Sequence, residues 1–322
     1  MKCFISKSVN PFLNLAFEDW YQKLTNDRLL RNTKVNHTLF LWRNSPCVVL
    51  GRNQNPWKEI NFQALKDNNV PLVRRNSGGG TVYHDLGNTN YCHIMPRDEF
   101  ERNISVTLIS QALHELDIPS NVNHRYDIVI DEKKVSGSAY KLISDRAYHH
   151  GTMLIDTDLD ILNTYLNPKK KELVGLGTDS VRSTVTRLRE HSFTVDHSSF
   201  CEAVQNEFEY KYGDLETIVL DESSMIDTVK TTFENLQKHD WIIGQTPKFT
   251  LGIKNTFTWG DLDFILHVHK GTIVDLIFTT DTIGIQPILS KTLVGNSLMD
   301  ISILTSDDEK VSHVLKYIET LL

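Results

Sequence analysis

The stretch Arg74-Arg75-Asn76-Ser77-Gly78-Gly79-Gly80-Thr81-Val82-Tyr83-His84-Asp85 (RRNSGGGTVYHD) is the most informative in the chain. Two arginines precede three glycines, and a strand-forming run follows them. Glycine reaches positive φ and lets a ligand lie against bare backbone. Successive N–H groups in such a turn converge on an anion. The stretch is not a Walker A loop, because no GK[ST] follows. It is not GxGxxG either, and it leads into a strand where a dinucleotide fingerprint leads into a helix. An isolated triple glycine also reads as a tight turn that binds nothing. The arginines favour the anion site, since a planar, permanently charged fork matches phosphate and carboxylate. One of the two can instead form a structural ion pair.

The rest of the chain makes that cationic pair a local choice. Formal net charge over 322 residues is -7, which argues against a general nucleic-acid binder with a basic face. At 40% hydrophobic and 23% charged residues, the composition is that of a globular protein long enough for two domains. Cys3, Cys47, Cys92 and Cys201 are scattered, with no CxxC pair. They read as free thiols in a reducing compartment, not as a disulfide frame or a zinc site. No apolar run is long enough to span a membrane. The N-terminus lacks the layout of a signal or transit peptide.

Working outward from the glycines, VPLVRR (70–75) reads as a strand running into them, and NTNYCHIM (88–95) as another. Upstream, Leu13, Phe17, Trp20 and Leu24 recur at helical spacing behind the capping pair Asn10-Pro11. TLFLW (38–42) and CVVLG (47–51) read as strands separated by an Asn-Ser-Pro turn, and 59–68 suits a short helix. Downstream, 99–118 is an amphipathic helix and 126–140 a hairpin turning at Asp131-Glu132-Lys133. A strand at 146–155 and helices at 158–166 and 198–212 follow, with a basic, weakly periodic loop over 167–188. From about 248 three strand runs precede helices near 286–296 and 308–321. Hairpins outnumber βαβ units, which predicts an α+β fold with mixed or antiparallel sheets. A domain boundary is placed at 246/247, giving a catalytic domain over 1–246 and a small α+β accessory domain over 247–322.

Several side chains are candidates for chemistry. Lys134 in KKVSGSAY sits among small residues, and strand alternation puts it on one face with Ser136. Its ammonium can bind a carboxylate or phosphate, or simply be a solvated hairpin lysine. Asp127 can hold Mg2+, which takes one or two carboxylates plus phosphate oxygens, or pair with Arg125. His149 and His150 are strand neighbours that face opposite ways, so a shared metal is disfavoured and at least one is a core or hydrogen-bonded histidine. His84-Asp85 makes a poor catalytic dyad for the same reason.

Taken together, RRNSGGGTVYHDLGNTN, KVSGSAYK, AYHHGTML, YLNPKKKEL and SVRSTVTRL resemble the signature blocks of lipoate–protein ligase A and the related lipoyltransferases, in the family's order. NLAFEDW, FLWRNSPCVVLGRNQNPWKEI and WIIGQTPKF extend the resemblance over nearly the whole chain. It implies a catalytic domain with the fold of biotin ligases and class II aminoacyl-tRNA synthetases. It also implies ATP-dependent activation of lipoate to lipoyl-adenylate, with AMP and diphosphate released, and transfer to a lysine of an acceptor lipoyl domain. Acceptors would be the E2 subunits of 2-oxoacid dehydrogenases and the glycine-cleavage H protein. The family's catalytic lysine falls on Lys134 and its nucleotide-binding arginine on Arg75. Its binding stretch after the glycines falls on Gly80, Thr81, Val82 and Tyr83; the residues themselves add Gly78, Gly79 and Ser136 as ligand-binding candidates and Asp127 as a candidate for Mg2+. The adenylate-covering loop corresponds to 167–187. An apolar slot for the lipoyl tail is expected near the first helix and the strands over 38–50. A monomer is expected, with no nucleic-acid or membrane partner. The location expected is the cytoplasm, or the mitochondrial matrix for a eukaryotic source. A transferase using pre-formed lipoyl-adenylate or lipoyl-H protein keeps the same motifs. An octanoyltransferase would need a cysteine nucleophile, which the KVSG block and the long loop lack. A non-catalytic lipoyl-domain binder would not need Arg75, the glycines and Lys134 together.

Overall fold

A computed structural model of the chain describes residues 1–25, 37–169, 172–281 and 284–322. Lys170 and Lys171 of the long loop expected at 167–187 lie outside the described residues. The elements run β1 (Lys2–Ser6), α1 (Pro11–Thr25), β2 (Thr38–Arg43), β3 (Cys47–Leu50), α2 (Pro56–Glu59), α3 (Phe62–Asp67), β4 (Leu72–Arg74) and β5 (Val82–His84). Then come β6 (Asn88–Pro96), α4 (Arg102–Glu115), β7 (Asn121–Val122), β8 (Ile128–Ile130), β9 (Lys133–Ser136), β10 (Ser138–Leu142), β11 (Arg146–Leu154), α5 (Leu159–Tyr165) and β12 (Leu173–Gly175). The chain continues through α6 (His197–Tyr212), β13 (Glu216–Leu220), α7 (Glu222–Leu236), α8 (His239–Ile242), β14 (Phe249–Phe257), β15 (Gly260–His269), β16 (Thr272–Asp281), α9 (Gln286–Leu293) and α10 (Glu309–Leu321).

One compact unit comprises residues 1–52, 70–163 and 181–237. Its main sheet has six strands in the order β10-β11-β6-β2-β1-β13. β1 runs parallel to both β2 and β13, whereas β2–β6, β6–β11 and β10–β11 are antiparallel. This is the mixed sheet that the hairpin-rich pattern predicts. Alternation sorts β2 cleanly. Leu39 and Leu41 join a core with Tyr91 and the apolar faces of α4 and α6 (Ile109, Leu113, Phe200, Val204). Phe40 points the other way and meets Phe17 of α1, ring centres 5.0 Å apart. α1 starts as its sequence predicts: Asn10 Oδ1 accepts from the Phe12 and Leu13 amides at 3.1 and 3.3 Å.

Two small sheets complete the unit. β2 and β3, adjacent in sequence, enter different sheets. β3 lies between β4, parallel to it, and β5, antiparallel, so it carries the arginine strand and the strand after the glycines on its two edges. The β8–β9 hairpin turns on Asp131 and Glu132, both at positive φ (47° and 62°), a two-residue turn that matches strand twist. Lys133 already pairs with Ile130 and belongs to the strand rather than to the turn. A register shift then sets Val129 opposite Lys134 and Ile128 opposite Ser136. Such a bulge breaks strict alternation, so counting along the strand does not fix the side on which Lys134 and Ser136 lie.

The second unit comprises residues 53–69, 164–180 and 238–322. Its sheet, β12-β14-β15-β16, is antiparallel throughout. Phe249, Leu251, Phe264 and Leu266 are buried on its inner side, with Trp57 packed 5.2 Å from the Phe249 ring. β12 is the regular part of the 167–188 loop within this unit. Among the described residues, no helix is long and apolar enough to cross a membrane.

The unit built on the six-stranded sheet buries an unusual number of histidines. Burial lowers His84 and His149 to about 3, with neighbouring cationic groups acting in the same direction, and it lowers His37 and His93 as well. A histidine depressed in the fold contributes stability that is fully present above its unfolded pKa. That stability is lost as pH falls from there toward the folded pKa. Unfolding free energy from urea titrations should therefore decline from pH 6.5 to about 4, each such histidine adding up to ~1.4 kcal/mol per pH unit. A flat profile across that window would contradict this burial pattern.

Candidate active site

The glycine loop is built around the side chain of Arg75. This residue follows β4 and is 5% exposed. Its Nε donates to Ser77 Oγ (2.9 Å) and Nη1 to Val49 O (3.2 Å). Nη2 donates to both Gly78 O (2.6 Å) and Gly80 O (2.8 Å). Most of the fork is thus spent on the loop that follows it. In a trans peptide the carbonyl and the next N–H point opposite ways. Turning the Gly78 carbonyl in toward the guanidinium therefore turns the Gly79 N–H out. Gly79 sits at φ 85°, a conformation glycine adopts without strain. A Cβ there would lie 3.0 Å from Arg75 Nη2 and 3.3 Å from Ala139 Cβ. Arg74 is buried too and donates to Gly51 O and Arg52 O at 3.2 and 2.8 Å. Burial pulls both guanidinium groups down to about 10, Arg52 adding to the effect on Arg74. Both stay charged at neutral pH.

Lys134 is positioned from three directions. Its backbone N–H donates to Thr184 O (2.9 Å), and its carbonyl accepts from Thr186 N (3.0 Å). The far end of the long loop, at 184–186, thus fixes the lysine's main chain. Its ammonium lies 2.8 Å from Asp127 Oδ1, with the lysine side chain 24% exposed and the aspartate 8%. Its stem crosses Gly137, where a Cβ would stand 2.7 Å from Cε and 2.8 Å from Nζ. Residues 137–139 therefore touch the lysine at one end and the glycine loop at the other, since Ala139 faces Gly79. A cation and a backbone turn with an outward N–H share one short stretch of chain.

The other predicted residues take clear places. Ser136 is buried and its hydroxyl meets Tyr91 Oη at 2.9 Å, so it bonds within the core. Thr81 and Tyr83 are buried and Val82 is half-buried in the strand after the glycines. His149 and His150 divide as alternation predicts. His149 is buried against Tyr91 and Tyr140 with neither ring nitrogen bonded. His150 bonds Glu18 Oε1 through Nδ1 (2.7 Å) and Ser77 Oγ through Nε2 (2.8 Å). Ser77 and Glu18 are site residues that sequence reasoning passed over. The one available signal was the carboxylate pair Glu18-Asp19 in the middle of a helix rich in apolar residues. His84 bonds Asn44, while Asp85 accepts from the Gly87 and Asp158 amides, so the two form no dyad. At Asp127 one carboxylate oxygen already faces the Lys134 ammonium. Among the described residues no group of three or more His, Cys, Asp or Glu side chains could hold a metal. The donor set fits Mg2+ only as an ion carried mainly by phosphate oxygens.

With this geometry established, comparison with known proteins is informative. The chain matches the family described as Lipoyl protein ligase A/B catalytic domain over residues 10–209. It is 38% identical over 311 residues to the Lipoate-protein ligase A of Psychrobacter cryohalolentis, covering 94% of this chain and 89% of that protein. Among solved structures it resembles P. falciparum LipL1 in complex with lipoate (TM-score 0.67, 29% identity, 99% of this chain and 100% of that one). It shares the fold of a lipoate-protein ligase A bound with ATP (TM-score 0.61, 21% identity, 76% of this chain and 100% of that one). The arginine-centred loop and the lysine beside it thus lie within a match that spans most of the sequence, and the chain belongs to the lipoate–protein ligase family.

Proposed function

We propose that this protein activates lipoate with ATP and transfers the lipoyl group to a lysine of an acceptor lipoyl domain. The E2 subunits of 2-oxoacid dehydrogenases and the glycine-cleavage H protein are the intended acceptors. The observation that carries this reading is the convergence of the Arg75-shaped loop and the Lys134 ammonium on residues 137–139. Lipoate-bound and ATP-bound members of the same fold support the two substrates.

The chemistry follows from charge. A carboxylate and a triphosphate are both anionic, and their reaction needs fixed positive potential where charge builds up. In this reading the Gly79 amide and its neighbours hold phosphate oxygens, and Lys134 lies between phosphate and acyl oxygens. Asp127 keeps the ammonium in place until the anions arrive. Mg2+, when bound to the nucleotide, would screen the phosphates, with Asp127 supplying at most one carboxylate. The acyl tail is assigned to the apolar layer of α1 and β2, where Phe40 stacks on Trp42 and meets Phe17 at a tilt. No enzyme nucleophile is invoked. All four cysteines are buried, and burial pushes Cys3 and Cys201 up to about 12 and raises Cys47 and Cys92. Thiolate catalysis, as in an octanoyltransferase, is therefore disfavoured.

Lipoate-dependent exchange of pyrophosphate into ATP, measured without acceptor, tests the activation step. Exchange is expected; its absence together with lipoylation from supplied lipoyl-adenylate would make the protein a transferase instead. Lys134→Ala should slow exchange roughly 100- to 1,000-fold, about 3–4 kcal/mol, as for the loss of one preorganised donor. Near-normal exchange would remove Lys134 from the reaction. Gly137→Ala places a methyl group where the Lys134 stem now runs, and a displacement near 1 Å costs on the order of 100-fold. A Gly137→Ala protein with unchanged unfolding and unchanged rate would show that the ammonium need not be held there.

A further inference from the structure

A chain of hydrogen bonds leads from α1 through Glu18, His150 and Ser77 to the glycine loop. Glu18 Oε1 meets His150 Nδ1 at 2.7 Å, His150 Nε2 meets Ser77 Oγ at 2.8 Å, and Ser77 Oγ accepts from Arg75 Nε at 2.9 Å. Arg75 closes the chain on Gly78 O and Gly80 O. Every side chain in it is buried: Glu18 2%, His150 8%, Ser77 1% and Arg75 5% exposed.

Arginine only donates, so Ser77 Oγ accepts from Arg75 Nε and keeps a proton and a second lone pair with which to meet His150 Nε2. The acidic Glu18 and the cationic Arg75 stand at the two ends of this buried chain, with His150 and Ser77 between them. The set has the bonding order of a serine–histidine–carboxylate triad. Ser77, however, is closed to solvent and already accepts from a cation, so its oxygen serves as a bridge and not as a nucleophile.

We infer that Glu18 and Ser77 are positioning residues for the nucleotide step: through His150 they orient and charge-balance Arg75, which holds the Gly78 and Gly80 carbonyls inward. Without the carboxylate the guanidinium is a buried charge lacking its counterpart. It then turns toward solvent or toward the substrate, and the outward Gly79 N–H loses its fixed direction. The inference rests on the reading that this loop holds nucleotide phosphate, but the loop's own geometry can be followed without substrate.

The test pairs Glu18→Gln, which keeps shape and removes charge, with Ser77→Ala, which removes the bridge and adds no volume. In full-length protein labelled with 15N-glycine, the Gly78, Gly79 and Gly80 amide signals should move in both variants, while Gly260 and Gly271 stay. In pyrophosphate exchange each single variant should raise KM for ATP at least tenfold and leave KM for lipoate within about twofold. The double variant should be no worse than the poorer single one, since residues acting through one chain are non-additive. A general loss of packing would instead shift both KM values alike. Unmoved glycine amides, an effect confined to lipoate, or additive losses would each overturn the inference. If Glu18→Gln does not yield folded protein, the split between the KM values for ATP and lipoate in Ser77→Ala decides alone. Should the unmutated protein show no exchange while the loop amides still move in the variants, the chain stands and the assigned reaction falls.

Discussion

The site depends on one buried cation that turns its charge inward. Arg75 spends four hydrogen bonds on Ser77, Val49, Gly78 and Gly80 oxygens. Burying a charge costs several kcal/mol unless its donors are met, and bonds to a charged donor return roughly 1.5–3 kcal/mol each. The arrangement is affordable because the loop carbonyls are supplied by glycines, which can rotate toward the guanidinium without side chains intervening. The same rotation faces the Gly79 N–H the other way. Positive charge held behind the backbone and a donor held in front of it are two sides of one constraint.

Lys134 complements this arrangement by its different exposure. Its main chain is clamped by Thr184 and Thr186 and its stem runs over Gly137, while the ammonium remains partly open beside Asp127. Arg75 is therefore suited to shape and Lys134 to contact. Lysine is a compact charge on a flexible stem, able to follow a reacting oxygen, whereas arginine's planar fork suits fixed geometry. The segment 184–186 ties the otherwise irregular long loop to the backbone of Lys134.

The fold class was readable because β-period and helix-period runs alternate clearly in segments such as 88–95 and 99–118. The glycine loop and Lys134 were singled out together through the resemblance of the RRNSGGGTVYHD and KVSGSAYK blocks, since small residues beside a lysine equally suit a solvated hairpin. Other features were hidden for physical reasons. β1 and β13 are five-residue strands whose parallel pairing joins the two ends of one unit, a contact that no local pattern encodes. The separation of β2 from β3 into different sheets cannot be seen in a turn signal. That Arg75 bonds the carbonyls of its own loop was hidden too, because a guanidinium fork fits a carbonyl as well as it fits phosphate. Glu18 was masked because nearly all of α1 is buried, so a carboxylate there looks like an ordinary interruption of an apolar face. The bulge at Lys134 likewise defeats counting by alternation.

The most direct test is a structure of the protein with a non-hydrolysable lipoyl-adenylate analogue. The account predicts that the phosphate mimic accepts from the Gly79 amide and from Lys134 Nζ, while Arg75 keeps its bonds to the Gly78 and Gly80 carbonyls. An analogue bound by the Arg75 guanidinium itself, with those carbonyls released, would contradict it.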